Sequence, residues 1–332
     1  MRLTNHPSSY IIPAIGLIFF SFLALSGSRG MRAQEPQAQP TVLQPIASFE
    51  IPGNRTCAVR DFQATNLGLY FLTATTSGYS EIVRTDHVGV LQNITAIAEA
   101  EIQYRSNSFR VDRFGNIVIH QTSRKAVRLV FLDALGTVTK QVVLTHPIAD
   151  LAFTGELLAG FDQKNSALLA EPDEKPIFRL PREVSPSTMM AGLPERRLAL
   201  LEADIPRVRI IDLGTGQELL RQLSAPEILP RPNPSSLPSS TFLNLLFTPV
   251  ADANGDLFCA VSGYSRKTGA IILRFDREGN LKGSYRCMFP VLADGETVAD
   301  LVSRIGVAGA KLFVVSSVAR NCAIYSITNS GN

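Results

Sequence analysis

Side chains that commonly carry catalysis or bind metal ions are few and widely spaced in this chain. Downstream of residue 33 the histidines are His87, His120 and His146, which fall at unlike positions. A three-histidine metal site is therefore not expected, because its ligands must converge. No Gly-x-Ser-x-Gly elbow occurs, although a Ser/His/Asp triad needs no sequence adjacency and stays open. The sequence predicts no catalytic residue, no metal ligand and no cofactor.

Aromatic and basic side chains are candidates for binding instead. The tetrapeptide SGYS occurs at Ser77–Ser80 and at Ser262–Ser265, which puts Tyr79 and Tyr264 in matching contexts. Exposed tyrosines are enriched at interfaces. The alternative is that the glycines make tight turns and the tyrosines pack locally. Arginines in similar corners and connections favour an acidic protein or a small anionic ligand, unless they belong to a solvated loop surface. They are Arg105, Arg124, Arg207 and Arg266.

Short apolar segments must position these residues, and the segments recur along the chain. One apolar strand begins at positions 70, 117, 157, 198, 257 and 312, at spacings of 47, 40, 41, 59 and 55 residues. A polar corner and a partner strand follow each, and a further strand follows in five of the six repeats. Another strand precedes each main strand. Four strands per repeat at this period predict β-propeller blades, which are stable only when stacked on one another.

The two ends of the repeat region complement each other. The sixth repeat lacks its last strand, whereas an unassigned strand, "IASFEIP", lies at residues 46–52. Adding this strand to the sixth repeat would close the ring without an unpaired seam. The sequence therefore predicts an all-β fold over residues 46–328, a six-bladed β-propeller of four-stranded antiparallel blades closed by an N-terminal strand. The proline-rich residues 225–240 are expected to form a loop between blades four and five.

The turns between strands resemble those of a known family. "VDRFGNIVI" (residues 111–119) and "ADANGDLFCA" (251–260) are similar to the turn-and-strand core of an NHL repeat, and the Asp-x-x-Gly turns at Asp86, Asp133 and Asp276 fit the same style. The chain thus resembles six-bladed propellers of the NHL and TolB-like type, although blades three and four lack these turns. We expect each Asp to accept hydrogen bonds from amides two or three residues ahead, with Gly at positive φ. Calcium binding is the alternative, but one carboxylate per turn offers few oxygen ligands.

This resemblance also implies an enzymatic alternative. Some related propellers are metal-dependent lactonases or lyases, with Glu, Asn and Asp converging at the central channel. That constellation is not found here, and only Asp150 is expected near the binding face. The carboxylates on or beside the innermost strands are Asp61, Asp112, Asp150 and Asp252.

Four cysteines remain to be placed, Cys57, Cys259, Cys287 and Cys322, and their spacing does not indicate a zinc site. Ring closure makes the first and last blades neighbours, so a Cys57–Cys322 disulfide is a possible reinforcement. Cys259 and Cys287 belong to the second and fourth strands of one blade. We expect these two to be buried thiols, because two strand spacings separate them.

The first 33 residues differ from the rest. An uncharged apolar run of 16 residues, 10–25, follows a basic start and precedes small residues, which is typical of a signal peptide; an uncleaved membrane anchor is the alternative. Residues 34–45, rich in Gln and Pro, are expected to be a linker. We therefore expect an exported protein, periplasmic or extracellular, touching a membrane only through residues 10–25. Without the leader, 29 basic and 29 acidic residues remain, which disfavours nucleic-acid binding.

The expected function follows from the fold and the sparse chemistry. Corners between the second and third strands of a blade share a face with the connections between blades, and that face usually carries binding. The sequence therefore predicts a non-catalytic binding or scaffold module that binds a protein or a small ligand on this inter-blade face. The alternative is a metal-dependent, lactonase-like hydrolase or lyase with its site at the central channel.

Overall fold

The structure is a computed structural model of the 332-residue chain. It describes residues 40–327 except 54–55, 76–78, 98–104, 124–125, 145–147, 171–174, 181–183, 185–187, 203–206, 223–245, 262–268, 289–301 and 317–319. The predicted leader and the proline-rich loop lie outside these residues. The regular elements of the described part are all strands, and no helix long and apolar enough to cross a membrane is found in it.

The strands form six blades of four antiparallel strands each, in chain order. Two short strands precede the first complete blade: β1 (Thr41–Leu43) and β2 (Ala47–Glu50). Blade one contains β3 (Thr56–Thr65), β4 (Gly68–Thr75), β5 (Ser80–Thr85) and β6 (Leu91–Ile97). Blade two contains β7 (Arg105–Val111), β8 (Ile117–Thr122), β9 (Val127–Leu132) and β10 (Val138–Leu144). Blade three contains β11 (Ile148–Thr154), β12 (Leu157–Asp162), β13 (Ala167–Ala170) and β14 (Lys175–Arg179).

The second half of the ring repeats this arrangement. Blade four contains β15 (Thr188–Leu193), β16 (Arg197–Glu202), β17 (Arg207–Asp212) and β18 (Glu218–Gln222). Blade five contains β19 (Leu246–Ala251), β20 (Leu257–Val261), β21 (Ala270–Phe275) and β22 (Leu281–Cys287). Blade six contains β23 (Val302–Ala308), β24 (Lys311–Ser316) and β25 (Asn321–Ser326). The innermost strands of successive blades contact one another around a closed ring, so the predicted six-bladed propeller is confirmed.

The N-terminal strands complete two blades. Strand β2 pairs antiparallel with β25, with Ala47 opposite Ile324, and supplies the missing outer strand of blade six as predicted. Strand β1 pairs parallel with β22, with Val42 opposite Arg286, and gives blade five a fifth strand. Residues 41–43 were expected in the linker. Their short alternation of polar and apolar residues gives no strong strand signal, and only the exposed edge of β22 makes the pairing possible.

Apolar side chains from neighbouring blades form the core. Both faces of each sheet are buried, which explains why central strands such as β20 are apolar throughout. In blade one, Phe62 and Phe71 stack with ring centroids 4.9 Å apart. Phe62 also meets Phe313 of blade six edge-on at 6.5 Å, so the closure is packed like the other contacts between blades.

The Asp-x-x-Gly sequences form tight turns between the third and fourth strands of blades one, two and five. We call Asp86–Gly89, Asp133–Gly136 and Asp276–Gly279 the outer turns. In the second, Oδ1 of Asp133 accepts hydrogen bonds from the amides of Leu135 (3.0 Å) and Thr137 (2.8 Å). These amides lie two and four residues ahead, not two or three, because each turn closes at the residue just before the next strand, as Asp133 does with Thr137.

Each outer turn packs against the outer strand of the preceding blade, where only glycine fits. A Cβ placed on Gly136 would lie 2.3 Å from Oγ1 of Thr95 in blade one, and Gly136 has a φ of 88°. A Cβ on Gly89 would lie 2.4 Å from the ring of Phe49 on β2. The glycines therefore serve the contact between blades as well as the turn itself.

The cysteines of the described part are buried thiols. Cys259, Cys287 and Cys322 are free, and burial raises the pKa of each. The prediction for Cys259 and Cys287 is confirmed. The predicted Cys57–Cys322 bridge is not formed, because Cys322 is a free thiol packed in the core between blades six and one. The side chain of Cys57 lies outside the described residues.

Candidate functional site

The innermost strands enclose a central channel of about 1060 Å³. Its wall receives described residues from β3, β7, β11, β15, β19 and β23. The inner edges of these strands face no further strand of their own blade. Their edge amides and carbonyls consequently need partners from neighbouring side chains or from water.

β-Bulges set the direction of the channel-facing side chains. In five innermost strands, an extra residue interrupts the pairing with the second strand; the bulge of β19 in blade five lies between Phe247 and Val250. A bulge re-aims the residue that follows it. The residues that directly follow the bulges of the other four strands occupy equivalent positions in blades one, two, three and six. They are Asp61, Ser108, Asp150 and Arg304.

Asp61 joins three blades. Its Oδ1 accepts hydrogen bonds from the Phe62 amide (3.0 Å) and from Nε of Arg304 in blade six (3.1 Å). Its Oδ2 accepts from the Phe109 amide (3.1 Å) and from Nη1 of Arg110 (3.0 Å), both in blade two. The Asp61 side chain is only 8% exposed, so this charge is stabilised by pairing rather than by water.

Arg110 and Asp150 continue the same network into blades three and four. Nη2 of Arg110 lies 2.7 Å from Oδ1 of Asp150, and Nε donates to the Leu151 carbonyl at 2.6 Å. Oδ2 of Asp150 accepts from the Met190 amide at 2.8 Å. We call Arg304, Asp61, Arg110 and Asp150 the belt. It links the innermost strands of blades six, one, two, three and four by charge-assisted hydrogen bonds.

Uncharged contacts between innermost strands follow the same direction. Gln63 of blade one accepts from the Val111 amide (2.8 Å) and donates to the Val111 carbonyl (3.2 Å). Thr154 of blade three donates to the Leu193 carbonyl of blade four at 2.9 Å. Side chains of one blade thus replace a missing strand along the inner edge of the next blade. These contacts cross-link the innermost strands of neighbouring blades.

His120 and Ser108 form a polar pair beside the belt. They lie opposite each other on β8 and β7, and the Ser108 hydroxyl is 3.3 Å from His120 Nδ1. His120 is 4% exposed, lines the channel, and its Nε2 is buried without a hydrogen-bond partner of normal geometry. Burial lowers the His120 pKa; Asp150 and the Ile148 carbonyl oppose this effect, and Arg110 adds to it. The imidazole is consequently neutral at physiological pH.

The wall from blade five is different. Its described lining residues, Pro249, Val250 and Ala251 on β19, are apolar. The channel therefore has an apolar side opposite a wall rich in polar and charged groups. Such a mixture is typical of sites for small molecules.

The two sequence-predicted binding residues that the structure describes, Tyr79 and Arg207, are not among the lining residues of the channel. Tyr79 is 56% exposed at the corner between β4 and β5, as the repeat alignment predicted. Arg207 begins β17, and its Nε donates to the buried carboxylate of Glu202 at 2.9 Å. Tyr264, Arg124, Arg266 and the side chain of Arg105 lie outside the described residues.

Of the carboxylates singled out from the sequence, the structure brings two together. Asp61 and Asp150 share Arg110, whereas Asp112 and Asp252 accept amide hydrogen bonds within turns. Sequence reasoning missed Arg110, Arg304 and Ser108. The signal that would have found them is a polar residue within the first strand of a repeat. In the part of the chain that the structure describes, no three His, Cys, Asp or Glu residues are grouped to hold a metal ion.

Comparisons with known proteins agree with this geometry at the level of the fold. No protein-family model matches the chain, and no curated protein matches it. Virginiamycin B lyase from Staphylococcus aureus is similar in structure, with a TM-score of 0.51 and 10% identity, covering 85% of this chain and 98% of the lyase. A protein of unknown function from Bacteroides thetaiotaomicron has a TM-score of 0.50 and 11% identity, covering 87% of this chain and 75% of its own. At these identities the likeness shows the fold alone.

Proposed function

We propose that this protein is a non-catalytic binding module whose ligand occupies the central channel, near the face formed by the inter-blade connections. The observation that carries the proposal is a cavity of about 1060 Å³ whose charged belt residues already pair with one another across neighbouring blades. A wall that is cross-linked before a ligand arrives has little ordering cost to meet on binding. Charges held in a belt stabilise the wall rather than a transition state.

Two further features of the sequence belong to this proposal. The apolar segment at residues 10–25 supports export to the periplasm or the cell exterior, with or without a membrane tether. The outer turns support a propeller of the NHL and TolB-like type.

A fragment screen with and without a blocked channel tests the binding function. Ala149, exposed on β11 in the channel wall, is replaced by Phe; Ala134→Phe, at an exposed outer-turn position, is the matched control. We expect ligand-observed NMR to detect fragments that bind the native protein and Ala134→Phe but not Ala149→Phe. If all fragments bind the three folded proteins alike, the channel is not the binding site.

A hydrolase is the second candidate, because the Ser108–His120 pair resembles a nucleophile with its base. A fluorophosphonate probe that labels Ser108, and fails to label it in His120→Gln, would favour this candidate; no labelling of Ser108 would exclude it. The metal-dependent alternative is tested by metal analysis and by thermal unfolding with chelator. A stoichiometric divalent ion whose removal lowers Tm would contradict the non-catalytic function.

A further inference from the structure

Among the described residues that line the channel, positively and negatively charged side chains are equal in number. Three arginines and three aspartates line it, and every one already has a partner. Four form the belt, Arg113 pairs with Glu156, and Asp112 accepts amide hydrogen bonds from its own turn. The Asp61 side chain is only 8% exposed, so an ionic ligand that displaced one of its arginine partners would leave a largely buried charge without full pairing.

Blade two also contributes a group of uncharged polar side chains to the lining of the channel. We call Asn107, Ser108, His120 and Thr122 the polar wall. Asn107 is the extra residue of the β7 bulge, and its amide nitrogen donates to the Thr122 hydroxyl. Each of the four groups has both a donor and an acceptor, since His120 is neutral. This property matches ligand hydroxyl groups, which also donate and accept at one atom.

His120 gives the independent sign that something polar is missing from this wall. Its Nε2 is buried and has no partner of normal hydrogen-bond geometry. The charged groups around the imidazole are Asp150 on β11, Arg110 on β7 and Asp61 on β3, and those groups are engaged with one another. Besides Ser108, the Ile148 carbonyl interacts with the imidazole, and a ligand group or a water with better geometry would satisfy Nε2 fully.

The side of the channel formed by blade five is apolar. Pro249, Val250 and Ala251 present apolar surface across the channel from the polar wall. A ligand that suits both walls has hydroxyl groups on one side and C–H surface on the other. Sugar rings have this arrangement, and the cavity volume lies just above the usual range for small-molecule sites, which leaves room for more than one ring.

We infer that the ligand of the channel is a neutral, hydroxyl-rich molecule of saccharide type, bound by the polar wall of blade two against the apolar wall of blade five. This inference rests on the proposed binding function and names the ligand class. It differs from the anionic ligand expected from the loop arginines; of these, Arg207 is described and is not among the lining residues of the channel.

The test uses the full-length protein and four trisaccharides, two of them neutral and two charged. N,N′,N″-triacetylchitotriose and maltotriose are neutral, the glucosamine trimer is cationic and trigalacturonate is anionic. Binding is measured by saturation-transfer NMR and calorimetry. We expect a neutral trisaccharide to bind and both charged ones to bind at least tenfold more weakly. Ser108→Ala and His120→Ala should weaken binding at least tenfold, and Ala149→Phe should abolish it.

A matched histidine variant separates contact from general damage. His87 lies in the outer turn of blade one, where its Nε2 is 2.7 Å from the Thr65 carbonyl, so His87→Ala should leave saccharide binding unchanged. Thermal unfolding confirms that each variant is folded. A neutral saccharide that binds His120→Ala and Ala149→Phe as tightly as the native protein would overturn the inference.

The remaining outcomes distinguish the ligand class from the binding function. If the charged trimers bind best and Ala149→Phe blocks them, the ligand class is wrong and the channel still binds. If no saccharide binds but the fragment screen finds channel ligands, the ligand class is again wrong. If neither experiment finds a ligand excluded by Ala149→Phe, a water alone satisfies His120, and both proposals fail.

Discussion

The belt at the centre of the ring and the outer turns at its rim join neighbouring blades by different chemistry. In the belt, buried charges reach from one blade to the inner edge of the next, as Asp61 does to the Phe109 amide. At the rim, the absence of a side chain on glycine lets an outer turn pack closely against the preceding blade. Gly136 packs in this way against the Thr95 side chain. The belt contacts connect residues 40 to 243 positions apart, whereas each outer turn is stabilised by amides within four residues.

This difference predicts where the ring is vulnerable. The two belt carboxylates are mostly buried, so water replaces a lost partner there less readily than at the surface. The outer turns are exposed, so water and small side-chain movements can relieve a change there. Substitutions at the centre should therefore cost more stability than equivalent substitutions at the rim.

The largest effect is expected at Gly192, where two innermost strands approach most closely. A Cβ on this residue would lie 1.6 Å from the Phe153 carbonyl oxygen, a backbone atom that cannot rotate away. Gly192→Ala should cost about 3 kcal/mol or more in free energy of unfolding. Gly283→Ala is the control, because a Cβ there meets nothing within 4 Å. Urea unfolding measures both, and equal stabilities would contradict the close approach of blades three and four.

Asp61→Ala comes next, since it removes the acceptor for Arg110, Arg304 and the Phe109 amide together. We expect a loss of about 2–3 kcal/mol, below the full cost of breaking a buried pair, because Arg110 keeps Asp150 and the Arg304 side chain is 35% exposed. Asp133→Ala, which removes an outer-turn carboxylate, should cost about 1 kcal/mol. Chemical denaturation of both variants tests the ranking, and a rim loss equal to the belt loss would refute it.

The same contrast explains what could be predicted from sequence. The strands, their grouping into six blades and the closure by β2 follow from apolar runs and turn residues that are close in sequence. The β1–β22 pairing and the belt did not follow, because their partners come from distant repeats. Arg110 sits in "SFRVD" without any local sign that it will join Asp61 to Asp150. Bulges decide which side chains enter the channel, and a single sequence gives no register.

A smaller effect on stability is expected at the rim glycines. Comparing two of them separates the cost of backbone strain from the cost of a steric clash with a neighbouring side chain. Gly136→Ala should cost about 2 kcal/mol, from its positive φ and from the Thr95 side chain. Gly216 has a φ of 72° with nothing within 4 Å of its Cβ, so Gly216→Ala should cost about 1 kcal/mol from strain alone. Adding Thr95→Ala to Gly136→Ala should recover the difference. If the double variant is no more stable than Gly136→Ala, the Thr95 side chain of blade one does not contact the outer turn of blade two.

The smallest effect should appear as a pH dependence of the central wall. The pKa of His120 is lowered from its usual 6.5 in the folded protein, chiefly by burial. As pH falls below 6.5, the unfolded chain binds this proton first, so stability declines until pH passes the lower folded pKa. The outer-turn Asp86, whose pKa the amides of Val88 and Val90 hold below its usual value, contributes only at more acidic pH. Urea midpoints between about pH 7.5 and 5 should therefore fall less steeply in His120→Gln than in the native protein or in His87→Gln. Parallel curves for all three proteins would mean that His120 takes up its proton equally in both states, and that the channel wall is more hydrated than its packing indicates.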